Sequence, residues 1–140
     1  MKQIANYQVS LKAILKNLKW EVLLLKTVGK ITYWDYDFPW WRIDDDEFEV
    51  PYLDILAREI REELWDKLKY EIKNQVVSLW RFRASDHQVI YLTFEWLILD
   101  ETIETTSEHA WYEFVKLEEI VLEDYFKSWM LEVAKMYLGK

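Results

Sequence analysis

Two apolar runs open the chain. From Tyr7 to Leu15 apolar and polar residues alternate, with Val9, Leu11 and Ala13 on one side, and Trp20 to Lys26 carries Val22-Leu23-Leu24-Leu25. Lys16-Asn17-Leu18-Lys19 between them is polar and of hairpin length, so the pattern predicts two paired strands. Residues 27–51 are looser. They hold Gly29, Pro39, the acid run Asp44-Asp45-Asp46-Glu47 and a cluster of aromatics that favours short strands. Pro51 opens a helix, where its missing N–H costs nothing. Leu53, Leu56, Ala57, Ile60 and Leu64 recur at helical spacing and predict one apolar face, with the helix ending near Leu68. Tyr70 to Phe82 and Gln88 to Leu99 are β-rich and flank the turn Ala84-Ser85-Asp86-His87, which predicts a long antiparallel hairpin. Asp100 to His109 reads as an exposed loop and Trp111 to Val115 as a last strand. Ile120, Tyr125, Trp129, Val133 and Met136 predict a terminal helix over 117–138. The order is α+β, helices packed on a mixed sheet.

At 140 residues the chain fits one domain, residues 1–140. Its 18 basic and 26 acidic side chains leave a net charge of −8, which argues against wrapping a nucleic-acid polymer. A small phosphorylated ligand remains compatible, because divalent ions held by carboxylates supply the missing positive charge. The chain has no cysteine, which excludes disulfides, thiolate zinc sites and cysteine nucleophiles. No apolar run is long enough for a membrane span, and the N-terminus lacks an apolar signal region, so the expectation is a soluble cytoplasmic protein without membrane contact. Nine tryptophans stand against two glycines, so glycine-loop chemistry has no support.

The chemistry concentrates in Arg58-Glu59-Ile60-Arg61-Glu62-Glu63-Leu64. At about 100° per residue, Glu59, Glu62 and Glu63 share one arc bordering the apolar face. Carboxylates this close repel one another, and a cation among them relieves the repulsion. Hard oxygen ligands suit Mg²⁺ or Mn²⁺ rather than zinc. Arg58, beside Glu59 and one turn before Glu62, is placed to fix a carboxylate's angle. Taken alone, such a string is more often a solvated helix face.

Its surroundings sharpen the reading. Arg58 to Glu63 resembles the core of the Nudix box, G-x5-E-x7-R-E-U-x-E-E-x-G-U. Trp34-Asp35…Phe38-Pro39-Trp40-Trp41 resembles the W-D-x-P-G-G segment before that box. Glu108-His109-Ala110-Trp111-Tyr112-Glu113-Phe114-Val115 resembles the family's E-H-x-x-Y-x-W-V element. The resemblance runs in order along nearly the whole chain, but every box glycine is replaced. The opening glycine falls at Asp44, the closing one at Trp65, and Trp40 and Trp41 stand for the earlier pair. The first box glutamate falls at Val50, and Glu47 or Glu49 takes its place only with a short insertion.

The resemblance implies an α/β/α sandwich with a central mixed sheet, one box helix and a C-terminal helix. It implies Mg²⁺- or Mn²⁺-dependent hydrolysis of a nucleoside diphosphate linked to another moiety, with Glu59, Glu62 and Glu63 as metal ligands and Arg58 orienting Glu59. A general base is expected from the loop before the last strand, at Glu108, with Glu104 as the fallback. Lys26 and Arg42 are candidate phosphate contacts. Trp34, Trp40, Trp41 and Trp80 are candidate stacking platforms for a base; Trp96 and Trp129 sit in patterns that need no ligand. Homodimerisation, common in the family, is compatible with the aromatic supply. The competing reading, supported by the lost glycines and first glutamate, is a non-catalytic module that binds a nucleotide or a protein partner.

Overall fold

The computed structural model describes residues 2–26, 36–64, 69–73, 75–83, 86–99 and 111–140, with the side chains of all of these except Trp40, Glu63, Trp111 and Ser128. One mixed sheet organises them. Strand β1 (Gln8–Lys16) runs parallel to β7 (Gln88–Ile98) in an unbroken register from Gln8↔Val89 to Lys16↔Leu97. On its other edge β1 meets β2 (Val22–Lys26) and β4 (Trp40–Arg42), both antiparallel. Strand β2 carries β3 (Tyr36–Asp37) and β8 (Trp111–Val115), and β7 carries β5 (Tyr70–Glu71) and β6 (Val76–Arg83).

Both faces of this sheet are covered, as a central parallel pair requires. On β1, Leu11, Ala13 and Leu15 enter one apolar cluster with Ile55, Leu56, Ile60 and Leu64 of the segment that includes helix α1 (Tyr52–Glu63). Ile14 faces the opposite cluster, with Leu122 of helix α2 (Leu122–Tyr125) and Val133 and Ala134 of helix α3 (Ser128–Tyr137). The arrangement is helix, sheet, helix. Each fully buried aliphatic side chain on these faces contributes about 2 kcal/mol of transfer free energy.

Most predicted elements are present, with shifted bounds. Pro51 caps α1 from outside, its carbonyl accepting the N–H groups of Asp54 and Ile55. The predicted strand 70–82 is two strands, because Ile72 and Lys73 lie outside the ladder that Val76 rejoins. The predicted terminal helix 117–138 is broken into a 3₁₀ turn (Leu117–Glu119), α2 and α3. Phe126 explains the second break: its backbone is extended, and its ring packs 5.2 Å from Phe38. That contact draws the chain down onto the sheet. The predicted loop 100–109 lies outside the described residues.

Candidate metal and phosphate site

The loop after β4 builds the site. Asp44 and Glu47 close a capping box around a 3₁₀ turn (Asp45–Glu47): the Asp44 side chain accepts the Glu47 N–H, and Glu47 Oε1 accepts the Asp44 N–H at 3.0 Å. The other carboxylate oxygen of Glu47 accepts from Arg58 at 2.6 Å. Glu47 is only 8% exposed while Arg58 is half-exposed, so the loop is fastened to α1 by an ion pair buried on its glutamate side. The Asp44 N–H, and then the Arg58 guanidinium, hold the Glu47 carboxyl below the ordinary glutamate range.

Arg58 gathers further carboxylates. It lies 3.3 Å from Glu59 and 4.0 Å from Glu62. Burial raises the Glu59 carboxyl above its ordinary range, and the charges of Glu62 and Glu47 push the same way, against the pull of Arg58. Desolvation thus leads, and the neighbouring acids add to it. Carboxylate oxygens of Asp44, Asp46 and Glu47 lie within 4.8 Å of one another. An all-oxygen, acidic donor set of this kind fits a hard divalent ion.

The predicted residues are distributed as follows. Arg58, Glu59 and Glu62 come together, on the outer side of the helix whose opposite face carries Leu56 and Ile60 into the core. Glu63 closes α1, but its side chain lies outside the described atoms. Glu108 and the fallback Glu104 lie outside the described residues, as does Trp34. Lys26 ends β2 opposite Trp111, with its ammonium 5.8 Å from the Tyr36 ring. Arg42 is exposed on β4, opposite Ser10. Trp40 pairs with Lys12 through its backbone.

Trp41 corrects the sequence reading. It was expected as a stacking platform but is 6% exposed and belongs to the core cluster beneath α1. Its ring occupies interior space and has no face open to a base.

Glu47 is the residue that sequence reasoning left open. It pairs with Arg58, and it stands three positions before Val50. The Asp44-x-x-Glu47 spacing of a capping box was the available signal. The reading also passed over Lys12. That side chain is fully buried on the α3 face, 3.2 Å from Asp37 and 4.4 Å from the centre of the Tyr91 ring. Desolvation lowers its affinity for a proton, against the pull of Asp37.

The fold has known counterparts. No protein-family model and no curated protein matches the sequence. Among solved structures, the MutT protein of Methanosarcina mazei Go1 superposes with a TM-score of 0.75 at 21% identity, covering 99% of this chain and 97% of its own. A NUDIX hydrolase of Nitrosomonas europaea gives 0.69 at 20%, covering 98% and 73%. An Ap4A hydrolase of C. elegans gives 0.69 at 14%, covering 94% and 96%. This chain has the Nudix fold. Within it, α1 stands where the box motif was read, and the Glu47–Arg58 pair fastens the loop that precedes it. The earlier glycine pair of the family pattern falls here on β4, at Trp40 and Trp41, and Trp41 fills the core.

Proposed function

We propose that this chain is a divalent-metal-dependent hydrolase that cleaves a nucleoside diphosphate linked to another moiety. One observation carries the reading: on a Nudix fold, Arg58 holds Glu59 and Glu62 on the exposed side of α1 and is itself fixed by the buried Glu47. Glu59, Glu62 and Glu63 are the proposed ligands of Mg²⁺ or Mn²⁺. The bound ion supplies positive charge that offsets the diphosphate oxygens and polarises phosphorus. Arg58 sets the direction of the Glu59 carboxylate and shields it from Glu62. Glu108 is the proposed general base, taking the proton of the attacking water as the P–O–P bridge breaks. Lys26 and Arg42 are the proposed phosphate contacts. The C. elegans counterpart supports the substrate class by what its name says of it, an Ap4A hydrolase.

A second reading, nucleotide binding without hydrolysis, has its own support. Trp41 occupies the core where the family pattern places a glycine, which removes the close backbone approach that glycine permits.

The test is a panel of nucleoside triphosphates, ADP-ribose and dinucleoside polyphosphates incubated with Mg²⁺ or Mn²⁺, with product separation by chromatography. The hydrolase reading expects turnover of at least one compound that is abolished by chelation and reduced more than about a hundredfold by Glu62→Gln or Glu63→Gln. An intact panel together with a metal-dependent thermal shift on adding nucleotide transfers the case to the second reading. An intact panel with no shift ends both.

A further inference from the structure

A second cavity sits at the far end of β1. The candidate metal site adjoins the start of that strand, where Ile43 donates to the Val9 carbonyl. Lys16 lies seven residues further on, about 23 Å away at ~3.3 Å per residue. There a cavity of about 210 Å³ is walled by Lys16, Trp20, Lys73, Glu95 and Trp96, among others.

Trp20 is the informative member. The β1–β2 turn closes through a Trp20 N–H to Asn17 carbonyl bond and an Asn17 N–H to Glu21 carbonyl bond, with Asn17 Oδ1 accepting from Lys19 and Glu21. This geometry puts Trp20 at φ +65°, the position in such a hairpin that favours glycine. A bulky residue is disfavoured there on backbone grounds. Nor does burial compensate, because Trp20 remains 69% exposed. The fold therefore carries an unfavourable residue whose indole stands over the cavity mouth, 5.1 Å from the Lys16 ammonium.

The walls supply the remaining chemistry. Lys16 and Lys73 lie 3.7 and 3.3 Å from Glu95, so two ammonium groups converge on one carboxylate. Tyr137 donates to the same carboxylate. Burial opposes its charge, yet these partners outweigh burial and hold the Glu95 carboxyl below its ordinary range. Two ammonium groups thus face one carboxylate, an excess of one positive charge among these three side chains. The neighbouring Trp96 alternates to the other face of the sheet, where its fully buried indole joins the cluster beneath α1 and stacks on Tyr70.

We propose that this cavity binds a small planar aromatic carboxylate: its ring lies on Trp20 and its carboxylate meets Lys16 and Lys73. The site is independent of the hydrolase reading and needs no metal.

The experiment titrates the full chain, without divalent metal, with indole-3-carboxylate, while indole and acetate supply the ring and the charge separately. Proton–nitrogen correlation spectra follow the Trp20 indole N–H signal, assigned with Trp20→Phe. A saturable shift of the Trp20 signal with indole-3-carboxylate, and none with acetate, is expected. Trp20→Gly removes a side chain from a glycine-favouring position, so it should keep or raise the melting temperature while abolishing binding. Lys73→Met, at the exposed rim, should weaken binding about tenfold. No saturable shift, indole binding as tightly as the carboxylate, or undiminished binding in both Trp20→Gly and Lys73→Met overturns the proposal. The same titration on Glu62→Gln should be unchanged, which separates this outcome from the fate of the hydrolase reading.

Discussion

Glu47 and Lys12 show how a single buried charge shapes this protein. Glu47 accepts from one backbone N–H and one guanidinium, so replacing its carboxylate with an amide removes charge from both bonds and leaves Arg58 without its desolvated partner. Glu47→Gln is expected to cost about 2 kcal/mol in urea unfolding. Lys12 poses the opposite problem, an ammonium sealed inside the sheet. Asp37→Asn takes away its carboxylate partner and is expected to cost about 2 kcal/mol, less than for a wholly buried pair because Asp37 reaches solvent. The pH dependence follows from linkage. The folded state binds the Lys12 proton more weakly than the unfolded state, whose value is 10.5. Stability therefore rises with pH from the folded value towards 10.5. Without Asp37 the folded value drops further, so the rise begins at lower pH. Unfolding curves between pH 7 and 10 should climb more steeply for Asp37→Asn than for the parent. That range avoids Tyr91, whose hydroxyl burial pushes up to about 12 and whose contribution is lost only above pH 10.

Helix α1 couples the core to the candidate site. Leu56 and Ile60 are fully buried, and Arg58, Glu59 and Glu62 occupy its other side. Truncating the inner face should loosen the outer one. Ile60→Ala is expected to lose about 3 kcal/mol, measured by urea unfolding. It should also weaken Mg²⁺ binding by calorimetry at temperatures where the variant is still folded. This helix was legible from apolar spacing alone, because a 3.6-residue period leaves a direct trace in the chain. The C-terminal segment was not. Its apolar residues also follow a helical period, yet the break at Phe126 comes from a ring contact with Phe38, a residue distant in the chain. Periodicity carries no information about such a partner.

The assembled protein is a sheet with two unlike faces, one under α1 and one under α2 and α3. If the acid cluster on α1 holds a divalent ion, saturating Mg²⁺ should raise the melting temperature, by about 2.7 kcal/mol of added stability at one hundred times Kd. Glu59→Gln should reduce that gain, and scanning calorimetry with and without metal checks it. The acids themselves were visible as a motif in the chain. Their anchoring was not, because the acid run from Asp44 to Glu47 offers several carboxylates of equal promise. Trp41 was misread for a related reason: an aromatic at a family glycine position looks the same in sequence whether it faces a ligand or the core.

Alternation, helical period and the Arg58-Glu59-x-x-Glu62-Glu63 string were enough to establish an α+β chain with strands before a charged helix, since each depends only on neighbours within a few residues. The parallel pairing of β1 with β7, the choice of Glu47 as the partner of Arg58, the burial of Lys12 and Trp41, and the cavity beneath Trp20 all depend on residues brought together from far along the chain. Such contacts are fixed by packing and desolvation in three dimensions, where a local pattern has no say.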